Sequence, residues 1–175
     1  MRKKTALPST KNKSLYLTLA GAAVVLIVLF AWANWQAVKA PTVKAYFYKD
    51  EKLCAVARPL KPGLPPLQQA IECLLAGPTE AERGAGITTM LPPGVKLRLA
   101  KADRSLAIID LDRSVENYGG GSTKIEGIIA QVVYTATDTP GIEKAWIWVE
   151  GQRDVVLGGE GLVLDRPLGR QDLKN

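Results

Sequence analysis

Histidine is absent from this chain, and cysteine, methionine and phenylalanine occur only twice each in 175 residues. The first absence removes Ser/His/Asp and Cys/His nucleophilic systems together with the commonest protein metal ligand. Cys54 and Cys73, nineteen positions apart and without a close pair, do not have the spacing of a structural zinc site. The segment Gly119 to Lys124 lacks the four-residue spacing of a phosphate-binding loop and reads as a mobile connection. No metal, no cofactor and no enzymatic activity is therefore expected.

Acidic residues are missing from the N-terminal part as well. Arg2, Lys3, Lys4, Lys11 and Lys13 stand there alone, and no Asp or Glu precedes residue 38. Setting these five cations aside leaves 18 Lys and Arg against 17 Asp and Glu, an excess of one, so the formal charge of +6 is mainly a property of the N-terminus. Nucleic acid is not an expected partner.

Behind the basic residues, Leu15 to Trp35 is an uncharged 21-residue run of mostly Ala, Val, Leu and Ile. As a helix it would rise about 30 Å, enough to span a bilayer core. The positive-inside rule places residues 1–14 in the cytoplasm as a basic tail and the rest of the chain outside, with Trp32 and Trp35 at the far interface. A cleaved signal peptide is the other reading, because Ala31 and Ala33 form an A-x-A pattern, although the run is long for that role. No cysteine lies near it, which excludes a lipid-modified N-terminal cysteine. Residues 36–42 form a short linker, and 43–175 are long enough for one domain with one core.

Within that domain, Val43 to Tyr48 and Leu53 to Ala57 are strand-like around a turn at Lys49-Asp50-Glu51-Lys52. Leu67, Ile71, Leu74 and Leu75 make a helical stripe that Gly77 and Pro78 terminate. Thr79 and Glu82 predict a capping box for about one turn of helix. Val95, Leu97 and Leu99 alternate as a strand, and Ser105 to Leu111 reads as a central strand buried on both sides. After Gly119-Gly120-Gly121-Ser122, a second capping box at Thr123 and Glu126 opens a helix with Ile125, Ile128, Ile129, Val132 and Ala136 on one face. Lys144 to Val149 is a last full strand, and Leu162 to Leu173 an extended tail. The expectation is an α+β domain of order β-β-α-β-β-α-β, a small antiparallel sheet with both helices on one face, preceded by a single transmembrane helix.

The order of Leu74-Leu75-Ala76-Gly77-Pro78-Thr79, Leu91-Pro92-Pro93-Gly94-Val95, Ile108-Ile109-Asp110-Leu111, Gln131-Val132-Val133-Tyr134-Thr135-Ala136 and Arg166-Pro167-Leu168-Gly169-Arg170 resembles the GerMN domain. That module is named after a sporulation and germination protein of endospore-forming bacteria, and the resemblance covers roughly Val43 to Leu173. It implies a cell-envelope module for protein interaction or ligand binding, similar in architecture to ring-building modules and without established catalytic residues. The chain departs from the founding pattern in having one copy of the domain and a spanning segment in place of a lipid-attachment cysteine. Single GerMN domains also resemble parts of envelope proteins in bacteria that form no spores.

Three groups of residues are candidates for function. Asp110, Asp112 and Glu116 could share a proton or act as an acid/base pair on a glycan, with Arg113 as a neutralising neighbour and solvated loop ends as the ordinary reading. Trp146 and Trp148 fall on one side of a strand whose other side carries Ala145, Ile147 and Val149. If the aliphatic set meets the helices, the indoles lie on an open face beside Lys96 and Arg98, a patch for a protein partner or a sugar ring. If the N-terminal hairpin covers them, they form a second small core. Cys54 and Cys73 would close a loop of about 20 residues as a disulfide, or pack as small hydrophobes. The function expected is a membrane-anchored scaffold that meets envelope proteins or copies of itself. The alternative is a peptidoglycan or glycan binder or hydrolase using the carboxylate cluster.

Overall fold

A computed structural model describes residues 19–32, 41–157 and 163–173. The chain divides into two compact units, Met1–Ala40 and Pro41–Asn175. In the first unit the described residues form one helix, α1 (19–32), whose apolar side chains from Leu19 to Trp32 are exposed. Among the described residues no helix is long and apolar enough to cross a membrane. The ends of the expected 15–35 span, the basic tail and most of the linker lie outside the described residues.

The second unit opens with the expected hairpin. Strands β1 (Thr42–Lys49) and β2 (Lys52–Pro59) pair antiparallel with Phe47 opposite Cys54. Asp50 and Glu51 close it with φ of 49° and 62°, a two-residue turn whose left-handed backbone matches the strand twist. Helix α2 (Pro66–Ala76) starts with proline in its first turn and stops at Gly77, whose φ of 77° a side chain would resist. The short α3 (Glu80–Gly84) carries the predicted capping box: Thr79 N–H donates to Glu82 Oε2 at 2.8 Å, and Glu82 N–H to Thr79 Oγ1 at 3.4 Å. Arg58 grips the same carboxylate from β2 with two bonds of 2.6 Å. That pair holds Glu82 down to about 2, the Arg58 bonds outweighing desolvation.

Strands β3 (Leu97–Asp103), β4 (Leu106–Leu111) and β5 (Lys144–Val149) form a second sheet with β4 in the middle. Here the expectation of an antiparallel sheet fails, because β4 and β5 run parallel. The intervening helix α4 (Ser122–Thr137) carries the chain back to the starting end of β4, and such a crossover delivers a parallel strand. The predicted second capping box also fails. The helix begins two residues early, with Gly121 as its N-cap, which puts Thr123 inside the first turn, and no side chain caps it. Two-residue strands β6 (Val155–Val156) and β7 (Val163–Leu164) pair separately, where only an extended tail was expected after residue 162.

The two helices share one face of this sheet, as expected, but they are also shared with the hairpin. Both touch β1, and α2 also meets β3 while α4 meets β5, with the two helices packed on each other. Ten of the sixteen residues of α4 are buried, including every one from Gly127 to Val133. A helix buried all round needs partners on more than one side, and hairpin and sheet supply them.

Polar side chains of α4 also close the outer edge of β1. Thr135 Oγ1 accepts from Tyr46 N–H at 3.0 Å, and Gln131 Nε2 donates to Tyr46 O at 2.9 Å. Gln131, fully buried, turns its Oε1 to Met90 N–H at 2.7 Å. Two residues along β1, Tyr48 exchanges backbone bonds of 2.9 and 2.8 Å with Thr88. Gly127 permits the close approach of that loop, since a Cβ there would stand 2.8 Å from Met90 Cγ.

Candidate functional site

The sheet registers define what each face of β3-β4-β5 carries. Ala145, Ile147 and Val149 are buried in the core with Ala107, Ile109 and Leu111. The opposite face has three rows across the strands: Leu99, Asp110, Trp148; Lys101, Ile108, Trp146; and Asp103, Leu106, Lys144. The hairpin does not cover this face, because it is occupied with α2 and α4. Strand β4 is central as expected, but Leu106 and Ile108 are only half-buried, so just one of its sides is packed by helices.

Trp146 and Trp148 meet edge to face with centroids 5.7 Å apart. The sequence does not single out the cation that joins them. Arg153 places its guanidinium 4.7 Å from the Trp148 centroid and 5.9 Å from that of Trp146. Its position follows from a tight turn at Glu150-Gly151, with φ of 53° and 77°, closed by mutual backbone bonds between Val149 and Gln152. This turn sends the chain back along β5, and Arg153 lands beside Trp148. The Glu-Gly pair was the available signal. Both indole N–H groups are buried and have no hydrogen-bond partner among the described residues.

Arg98 joins the same face at an irregularity in the β3–β4 register. Its Nε donates to Asp110 Oδ2 at 3.1 Å and its Nη1 to Glu150 Oε2 at 2.8 Å. Lys96 precedes β3 and, among the described residues, is bonded through its backbone alone, its N–H donating to Asp112 Oδ1 at 2.9 Å and its carbonyl accepting from Asp112 N–H at 3.0 Å. No described contact joins the Lys96 side chain to the indoles.

The carboxylates do not assemble as an acid/base pair. Asp110 Oδ1 accepts from Gly151 N–H at 2.9 Å while its other oxygen holds Arg98, so it pins the β5 turn. Asp112 lies past the end of β4 and accepts from Lys96 N–H and from the Ser114 hydroxyl. Glu116 is an exposed partner of Arg113 at 3.9 Å. Among the described residues no three His, Cys, Asp or Glu side chains could hold a metal ion.

Cys54 and Cys73 are free thiols, each packed against the edge of the core. Burial pushes the Cys73 thiol up, against the Arg58 charge.

The motifs shared with the GerMN pattern serve packing in part. Leu74, Leu75, Pro78, Leu91, Pro92 and Arg83 are among the walls of an apolar surface cleft of about 440 Å³. Arg170 binds Thr137 Oγ1 at 2.8 Å and Tyr134 O at 3.2 Å, and lies over the rings of Tyr46 and Tyr134. Asp138 accepts the Tyr46 hydroxyl at 2.8 Å. Burial raises the Asp138 carboxyl, but the Tyr46 hydroxyl, Lys44 and Arg170 outweigh it and hold the group below the ordinary range.

A helix pair shared between a hairpin and a three-stranded sheet, with an aromatic and cationic outer face, is the kind of small α+β module these features define. The chain belongs to the family described as Germane: Sporulation and spore germination, which matches residues 44–155. Its fold is similar to the first GerMN domain of the sporulation protein GerM from Bacillus subtilis, at 21% identity, with 76% of this chain and 100% of that chain covered and a TM-score of 0.64. The tandem GerMN domains of the same protein align at 18% identity over 76% of this chain and 47% of that one, with a TM-score of 0.61. A putative lipoprotein from Clostridium perfringens aligns at 25% identity over 78% and 91%, with a TM-score of 0.55. No curated protein matches the sequence.

Proposed function

We propose that this chain is a single-pass membrane protein whose basic tail is cytoplasmic and whose GerMN-type domain stands outside, where it joins envelope proteins, or copies of itself, in an assembly serving sporulation or germination. One observation carries the interaction reading. The outer face of β3-β4-β5 keeps two half-buried tryptophans and a stacked arginine clear of both helices and of the hairpin. Trp and Arg are the side chains on which protein interfaces most often depend. The five N-terminal cations ahead of an uncharged run support the anchor and its orientation.

A photo-crosslinking residue at Lys101, in the row of Trp146, tests the interaction in intact membranes. An adduct with an envelope protein or with a second copy is expected, and recovery of neither overturns the reading. A reporter fused after Asn175 is expected to be active only outside the cytoplasm. Cytoplasmic activity refutes the topology, and a soluble mature chain beginning near Asn34 replaces the anchor with a cleaved signal.

A further inference from the structure

The outer sheet face is rich in hydrogen-bond donors whose counterparts are missing. Asp110 and Glu150 are both engaged by Arg98, and Glu150 also by Arg113 N–H. That leaves Lys101 and Arg153 without an ion pair among the described residues, while Lys144 acts on Asp172. The Trp146 and Trp148 N–H groups add two donors that no acceptor meets among the described residues. A buried donor left unpaired is costly, and an incoming acceptor recovers that cost.

We propose that the Trp146, Trp148 and Arg153 stack is the docking point for a carboxylate on an acidic segment of a partner protein. This rests on the interaction reading above and names the chemistry of the partner. Arg153 is exposed and held by its stacking on the indoles, so its guanidinium is free to pair with a carboxylate and to swing with it, opening the indole edges. Leu99, 42% exposed in the row of Trp148, and half-buried Ile108 supply flat apolar contact beside the charge.

Two other occupants fit less well. A neutral sugar ring would leave the charge of Arg153, which lies over both rings, without a counterion. A membrane surface takes up tryptophans that can enter the headgroup layer. These indoles are half-buried in a sheet, pinned against each other and roofed by a guanidinium.

The test uses the full chain in nanodiscs of zwitterionic lipid, with the tryptophan side chains labelled for indole N–H resonances. The chain has four tryptophans, and Trp146→Phe and Trp148→Phe assign the two of interest. The probes are a short Glu/Leu peptide, its Gln/Leu counterpart, inorganic phosphate, and vesicles containing anionic lipid. The Glu/Leu peptide is expected to shift both resonances and to bind about tenfold or more tighter than the Gln/Leu peptide. Arg153→Ala is expected to weaken that binding by about tenfold or more, with Arg153→Lys in between, while circular dichroism and thermal midpoint stay unchanged. Equal binding of the two peptides, indifference to Arg153→Ala, or a response to phosphate or anionic vesicles alone overturns the proposal. If it falls while crosslinks at Lys101 still capture a partner, the interaction reading stands and only the acidic chemistry is lost.

Discussion

The side-chain amide of Gln131 donates to the backbone carbonyl of Tyr46 at 2.9 Å, from the middle of one helix to the edge of a strand 85 residues earlier. One turn on, Thr135 takes the Tyr46 N–H, so both backbone groups of a single strand residue are held by side chains of α4. A strand edge inside a domain must find such partners, because an unpaired buried backbone group costs about as much as a lost hydrogen bond.

Replacing Gln131 by Leu keeps the volume and removes every bond it makes. The half-buried carbonyl of Tyr46 and N–H of Met90 are then left without partners. The expected loss is about 2–4 kcal/mol in urea unfolding. A loss below about 0.5 kcal/mol would show that water or a shifted loop satisfies both groups.

Gly127→Ala sets two effects against each other. Alanine favours a helix over glycine by about 1 kcal/mol. The new Cβ, however, meets Met90 Cγ at 2.8 Å, and overpacking of this kind costs about 1–3 kcal/mol. The single variant is expected to be destabilised, and Met90→Ala in the same chain to restore most of the loss. Additivity of the two changes in a double-mutant cycle would contradict the contact.

Acid tests the link between Glu82 and Arg58. The carboxyl sits at about 2 in the folded chain, below its unfolded value, so the folded state binds its proton later. Its contribution is therefore fully present above the ordinary glutamate pKa and is lost as pH falls from there towards 2. The stability difference between the parent and Glu82→Gln is expected to shrink over that window and to be flat above it. A difference that stays constant down to pH 2 would mean that the charge of Glu82 does not matter.

Both thiols should be available to alkylation. In urea without reductant, intact mass is expected to show two labels, and a chain with none would restore the disulfide. In the folded protein Cys73 is expected to react several-fold more slowly than after unfolding, because burial raises its thiol pKa and lowers the reactive thiolate.

Local chemistry was what the sequence displayed well. Apolar spacing, the turn at Asp50-Glu51, the Thr79 and Glu82 box and the stop at Gly77 are decided by residues within a few positions of each other, and each appears in the structure. The alternation in β5 likewise separated Ala145, Ile147 and Val149 from the two tryptophans. The ordered motifs carried family membership, since they record the punctuation of a whole chain.

The tertiary structure decided everything that depends on which elements meet. Parallel pairing of β4 with β5 follows from where α4 returns the chain, and strand patterns do not encode direction. Whether the indoles were covered depended on where the hairpin docked, and it docked on the helices. Arg153 became the cation of the site through the turn before it, while the Lys96 side chain, expected there from the strand pattern, stayed outside. The carboxylates that looked like a cluster along the chain were distributed to separate partners. Sequence fixes spacing along one dimension, whereas burial and hydrogen-bond satisfaction are settled between segments brought together from afar.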